Sequence, residues 1–134
     1  ASARAGSVAI TSLPAPQHVF AIVIDEHAVG GIGVHRLDKD PVYRDTAEIG
    51  YWLAEPYWGR GVMTEAVKAV ARYACDELSR FRVEAGVFAW NVSSARVLEK
   101  CGYSFEGRLR KQAFKDGQHL DVMLYSRLRT DEVE

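Results

Sequence analysis

Apolar residues in this chain follow two rhythms, and the switch between them marks where strands give way to helix. Val19 to Ile24 is an unbroken apolar run, Asp25-Glu26-His27 is a polar turn, and Val29 to Leu37 follows, loosened by Gly30, Gly31 and Gly33. Two such runs about a polar turn predict a β-hairpin, ended by the polar loop Asp38-Lys39-Asp40-Pro41. A third strand is expected over about Ala47 to Ala54. It carries Glu48, Gly50 and Trp52 on one face and Ile49, Tyr51 and Leu53 on the other. From Val62 the spacing changes. Val67, Val70, Ala71, Ala74 and Leu78 recur at intervals of three and four, predicting an amphipathic helix to about Leu78. Lys68, Arg72, Asp76 and Glu77 fall mostly off that stripe.

Phe81 to Phe88 reads as a further strand, parallel to the third, because a helix of this length is the usual crossover between parallel neighbours. Asn91 is placed to cap a short helix over Val92 to Lys100, and Gly102 stands where a left-handed C-terminal residue is wanted. Two last strands, Tyr103–Phe114 and His119–Leu128, are joined by the turn Lys115-Asp116-Gly117. The order is β-β-β-α-β-α-β-β, with no internal repeat. Residues 1–16, rich in Ala and Ser and holding Pro14 and Pro16, read as a flexible lead-in. Residues 17–129 read as a single domain, and 130–134 as an acidic, frayed tail.

Composition narrows the function. A chain of 134 residues with 48% hydrophobic and 26% charged residues is an ordinary globular domain. A formal charge of −1 gives no general pull toward nucleic acid or anionic lipid. No run approaches the ~18 apolar residues of a membrane span, and the start lacks the pattern of a signal peptide. Cys75 and Cys101 both fall in helical, packed positions, so a reducing cytoplasm is expected rather than a disulfide framework. The sequon Asn91-Val92-Ser93 carries little weight without a secretory signal. His18, His27, His35 and His119 have no metal-ligand spacing and read as surface or loop residues. There is no Walker-type loop, nucleophile elbow, paired Cys-x-x-Cys or zinc-protease helix.

The segment Ala54-Glu-Pro-Tyr-Trp58-Gly59-Arg60-Gly61-Val62-Met63-Thr64-Glu65-Ala66 concentrates the chemistry. Two glycines one residue apart let the backbone turn tightly and leave its N–H groups uncovered. The helix that follows aims its unpaired N–H groups and positive dipole end at the same spot. That combination suits phosphate or pyrophosphate; a plain strand-to-helix turn is the alternative.

Three segments together resemble the GNAT superfamily of acetyl-CoA-dependent N-acetyltransferases, in the branch of the RimJ and RimL ribosomal-protein acetyltransferases. They are Ala47-Glu-Ile-Gly-Tyr-Trp-Leu53, Trp58-Gly-Arg-Gly-Val-Met-Thr-Glu-Ala66 and Asn91-Val-Ser-Ser-Ala-Arg-Val-Leu-Glu-Lys-Cys-Gly-Tyr103, and their order and spacing agree over residues 18–128. The resemblance implies an α/β (α+β) fold with a mixed, mostly antiparallel twisted sheet. A β-α-β crossover and a splay between the two central parallel strands are expected in it. The loop departs from the usual pattern at its ends, with Trp58 first and Met63 last. Relatives also begin with a strand and helices that wall the acceptor site. This chain reads as N-terminally short, so a partner subunit in a homodimer is an expected source of that wall.

The resemblance further implies that backbone N–H groups from Gly59 through Arg60, Gly61, Val62 and Met63 to Thr64 hold the pyrophosphate, with the Thr64 hydroxyl and Trp58 at the edge. Leu53 and Ala54 would pair with the pantetheine arm, and an N–H of one of them would meet the oxyanion. Asn91 would reach the cofactor or hold the splay open, or serve simply as a helix cap. An ammonium must lose its proton before attacking a thioester, and amines with pKa values of ~8 to ~10.4 need a base at neutral pH. Glu48 is the candidate, matching the base of the Rim-type branch; the alternative is a surface ion pair. The Tyr used by many relatives as acid toward the thiolate is replaced by Leu98, and Ser94 is the Rim-type substitute, unless it merely bonds backbone. Tyr103 reads as packing. The cluster Arg108, Arg110, Lys111 and Lys115 faces an acidic acceptor or the 3′-phosphate, or is a solvated hairpin. The expected activity is acetyl transfer from acetyl-CoA to a primary amine, on a small molecule or a peptide, by direct attack. A coenzyme A sensor without turnover is the alternative, and a pure interaction domain a weaker one.

Overall fold

The computed structural model describes residues 2–5, 8–12, 18–35, 37 and 40–131. Its strands are β1 (Ser2–Ala5), β2 (Val8–Ser12), β3 (Val19–Ile24), β4 (His27–His35), β5 (Thr46–Leu53), β6 (Arg82–Phe88), β7 (Ser104–Lys115) and β8 (Gln118–Leu128). The helices are α1 (Val62–Asp76) and α2 (Val92–Lys100), with a single 3-10 turn at Glu55–Tyr57. One sheet contains all eight strands in the order β1-β2-β3-β4-β5-β6-β8-β7. Only β5 and β6 are parallel, and α1 is their crossover.

Two strands lie where a flexible lead-in is expected, which corrects the boundary at residue 16. β1 pairs with β2, and β2 runs antiparallel to β3 with Ile10 opposite Ile22. Val8 and Ile10 are buried while Ala9 and Thr11 are not, so a period of two was present beneath the Ala and Ser content. Residues 1, 6–7 and 13–16 of that lead-in, 17, 36, 38 and 39 of the expected domain, and 132–134 of the tail lie outside the described residues. The start of the tail is ordered, because the Asp131 carboxylate accepts the Leu128 N–H at 2.9 Å and its own N–H returns to Leu128 O.

α1 buries Val62, Met63, Ala66, Val67, Ala69, Val70, Ala71 and Ala74 against the sheet, in one core cluster with Ile22, Ile32, Ile49 and Val83. The small alanines on that stripe let the helix lie close to the strands. α2 packs beside it, seating the fully buried Leu98, and Gly102 ends it at φ +82. The hairpin β7–β8 closes at Asp116 (φ +52) and Gly117 (φ +75), two left-handed residues as a two-residue turn requires.

The opposite face of the sheet bears no helix among the described residues. There Trp52 lies over Gly31, where a Cβ would stand 2.7 Å from the indole Nε1, and His35 lies over Gly33 and Gly50. Trp52 stays 63% exposed. No helix among the described residues is long and apolar enough to cross a membrane.

Candidate functional site

The parallel ladder between β5 and β6 is short. Thr46, Ala47 and Glu48 pair with Arg82, Val83 and Glu84, and pairing stops there. β5 nevertheless continues against β4 to Leu53, and β6 continues against β8 to Phe88. The segments Ile49–Leu53 and Ala85–Phe88 therefore part, forming a fork with Glu48 and Glu84 at its base.

Backbone polarity along β5 follows from its register. The Ala54 N–H donates to Val29 O at 2.9 Å, and Gly30 stands opposite Leu53. Alternation in an antiparallel ladder then turns the N–H and C=O groups of Ile49, Tyr51 and Leu53 away from β4 and toward the fork. Leu53 O accepts the Trp58 indole N–H at 2.7 Å, which fastens the start of the glycine loop to the strand end. The Ala54 N–H and C=O are both committed, to Val29 and to the Tyr57 N–H. Of the two expected main-chain donors, the Ala54 N–H is taken by Val29, and the Leu53 N–H is the one that faces the gap.

Beyond Trp58 the chain turns through Gly59 (φ +74) and Gly61 (φ +75). A Cβ at either would meet nothing within 4 Å, so backbone conformation rather than space requires glycine there. Gly61 caps α1 without any side-chain bond, and the first helical hydrogen bond runs from Glu65 N to Gly61 O at 3.1 Å. Among the described residues, no acceptor meets the N–H groups from Gly59 to Thr64. The side chains of Val62 and Met63 enter the core, so these two residues can contribute only backbone, whereas Arg60 is exposed with its guanidinium 5.6 Å from the Tyr57 ring centre. Thr64 is half-buried, and its carbonyl accepts the Cys101 thiol.

On the other limb, Asn91 Oδ1 accepts the Ser94 N–H at 3.1 Å and caps α2. The Ser94 hydroxyl does not bond backbone. It donates to Tyr51 Oη at 3.0 Å, and Tyr51 Oη donates to Ser94 O at 3.2 Å. Burial pushes the Tyr51 hydroxyl up to about 12, the Ser94 bond opposing in part, so the phenol keeps its proton across the neutral range. Sequence reasoning missed this contact, although Tyr51 was placed on the correct, helix-covered face with Ile49.

Glu48 is half-buried, opposite His35 on β4 and Glu84 on β6. Glu84 Oε2 is held by Arg82 through Nε at 2.9 Å and Nη2 at 2.7 Å. Arg82 also grips Glu106, whose carboxylate accepts the Ser126 hydroxyl. Tyr103 is 5% exposed, and burial drives its hydroxyl upward, as expected of a packing residue. The basic cluster is an exposed hairpin: Arg108 is tied to Asp121 at 2.6 Å, and Lys115 Nζ lies 5.3 Å from the Phe88 ring centre. Of the histidines, His27 and His35 end β4, His119 packs on Phe114, and His18 bonds the Tyr73 hydroxyl at 2.8 Å.

The family profile of the acetyltransferase (GNAT) domain matches residues 4–104. A probable N-acetyltransferase, YjcK, of Bacillus subtilis is 38% identical over 81% of this chain and 59% of its own length. The ribosomal-protein-serine acetyltransferase of Escherichia coli is 33% identical over 82% of this chain and 60% of its own. The solved structure of Mycobacterium smegmatis RimJ in complex with CoA-disulfide superposes with a TM-score of 0.77 at 28% identity, covering 83% of this chain and 52% of that one. The chain thus spans about three fifths of the length of these curated relatives.

Proposed function

The chain belongs to the GNAT acetyltransferase family, and from that premise we propose that it moves the acetyl group of acetyl-CoA to a primary amine by direct attack in a ternary complex. The observation that carries this reading is the fork between β5 and β6 lying beside the uncovered N–H groups of Gly59 to Thr64. Those donors suit the diphosphate, and charge-assisted bonds of ~1.5–3 kcal/mol each outweigh a helix-dipole contribution of ~0.3–1 kcal/mol. Fork-facing backbone groups of Tyr51 suit the amides of an extended pantetheine arm, which would add a strand between the limbs and end beside the Leu53 N–H.

Acetyl-CoA supplies the activated thioester. Glu48, at the base of the fork, takes the proton that the attacking nitrogen must lose. The Leu53 N–H meets the oxygen that gains charge, and Ser94 faces the departing sulfur. Asn91 acts through Ser94, fixing the turn on which it stands. The two unpaired cysteines support a reducing, cytoplasmic setting. The acceptor is a peptide N-terminus or a small amine.

Free-thiol release from acetyl-CoA, measured against a panel of amines and N-terminal peptides, tests the reading. At least one amine is expected to raise the rate above the blank. Stabilisation by coenzyme A with no amine accelerating thiol release would replace the transferase with a cofactor sensor, and absence of both would overturn coenzyme A binding itself.

A further inference from the structure

Ser94 is held at every polar atom. Its N–H goes to Asn91, its carbonyl accepts Tyr51, and its hydroxyl donates to Tyr51. One phenol thus serves two atoms of one serine, across the 43 residues that separate the limbs of the fork. The Tyr51 O–H has two acceptors in reach, the Ser94 carbonyl at 3.2 Å and the Ser94 Oγ at 3.0 Å. Turning it from one to the other needs only rotation about the phenol C–O bond. If Ser94 swings its own proton elsewhere, its oxygen does not lose a partner. Both residues are half-buried, so that retention matters, since a hydroxyl shielded from water and left unsatisfied costs more than an exposed one. The other ionisable groups facing Tyr51 are Cys101, at the end of α2, Tyr103 just beyond it, and Tyr125 on β8. All three are acids with no charge to offer when protonated.

We propose that Tyr51 is a positioning residue that acts through Ser94 to hold the coenzyme A sulfur as a thiolate, the two hydroxyls switching their bonds together. This rests on the acetyl-transfer reading above. As the new C–N bond forms and the C–S bond breaks, the electron pair stays on sulfur. Ser94 turns its O–H from Tyr51 to that sulfur, and Tyr51 turns its O–H from the Ser94 carbonyl to Ser94 Oγ. Both hydroxyl protons remain on their own oxygens. The nitrogen's proton leaves by way of Glu48 to solvent, so no proton has to be resupplied through the hydroxyl pair. The arrangement accounts for a phenol, rather than phenylalanine, at a position where burial disfavours a polar group.

Free coenzyme A is the probe. Its thiolate absorbance is titrated against pH when bound to the wild-type protein, Tyr51→Phe, Ser94→Ala, Ser94→Thr and the double variant Tyr51→Phe/Ser94→Ala, with affinity measured for each by calorimetry. The wild type is expected to lower the bound thiol's pKa by about one unit, a tenfold gain in thiolate, as a charge-assisted bond allows. Ser94→Ala abolishes the shift, Tyr51→Phe removes most of it, Ser94→Thr restores it, and the double variant matches Ser94→Ala alone. A Tyr51→Phe protein that binds coenzyme A and keeps the full shift overturns the inference and leaves the transferase reading standing, because a mere brace affects affinity or melting without moving the thiol. Additive losses in the double variant overturn it as well. Failure of the wild type to bind coenzyme A overturns both.

Discussion

Glu48 and Glu84 stand opposite each other in the last rung of the parallel ladder, and beyond them β5 and β6 separate. Glu84 is clasped by the guanidinium of Arg82, and Glu48 stands between His35 and Glu84 in register, at the base of the fork. Their substitutions should therefore read out differently. Glu48→Gln is expected to lower kcat by about 10²–10⁴-fold with coenzyme A affinity unchanged, as loss of a general base does. Glu84→Gln is expected instead to lower stability by about 1 kcal/mol, through the weakened Arg82 pair. Steady-state kinetics and thermal melts on both variants check the division, and equal kinetic losses would remove Glu48 from the role of base.

Gly61 adopts φ +75 in open space. Gly61→Ala should introduce about 1–2 kcal/mol of left-handed backbone strain without any clash. Because that strain turns the N–H groups of the loop, coenzyme A affinity is expected to fall by at least about tenfold, equal to ~1.4 kcal/mol. Gly61→Asn, which tolerates the left-handed region, should lose less. Calorimetry with coenzyme A measures both. An unchanged affinity in Gly61→Ala would detach the loop from the diphosphate.

Leu98 stands where the family resemblance implies a tyrosine acid toward the thiolate, and it is 0% exposed. Leu98→Tyr is expected to destabilise by about 1–3 kcal/mol through overpacking, with no gain in turnover. A faster enzyme would show that the group serving the departing sulfur stands at this position of α2 rather than at Ser94.

The Arg82 and Ser126 bonds hold the Glu106 carboxyl below its ordinary range. A carboxylate depressed in the folded state contributes stability that is full above its unfolded value, near ~4.3, and is lost as pH falls through the lower folded value. The wild-type melting temperature should therefore drop on acidification through and below that range. Glu106→Gln should melt lower at neutral pH and show a shallower acid decline. Parallel acid profiles for the two proteins would contradict the assignment.

Much of this architecture was legible because local signals agreed with the fold. The stripe Val67, Val70, Ala71 and Ala74 is buried in α1, and Asp116-Gly117 turns the last hairpin. Asn91 caps α2 through Ser94. β2 escaped because Val8 and Ile10 alternate with Ala, Thr and Ser in so short a run that composition masked the period. The site's finer wiring depends on register, which local pattern does not contain. Val29 meets Ala54 only once β4 and β5 have aligned, and Tyr51 reaches Ser94 only once α2 has folded back over the sheet. Both involve residues far apart in sequence whose own types suggest ordinary strand and helix positions.

Among the described residues, three ladder rungs and the Asp45 carbonyl, which accepts the Phe81 and Arg82 N–H groups, join β1–β5 to β6–β8 along the central seam. The opening beyond them is braced by the Tyr51–Ser94 hydroxyl pair and covered by α1, whose buried stripe joins one core with strands of both halves. A guest lying extended in the seam, as proposed for the pantetheine arm, is expected to supply the missing rungs and stiffen the opening. Amide exchange at Tyr51 and Leu53 would register that stiffening, slowing when the seam is filled while the outer strands change little.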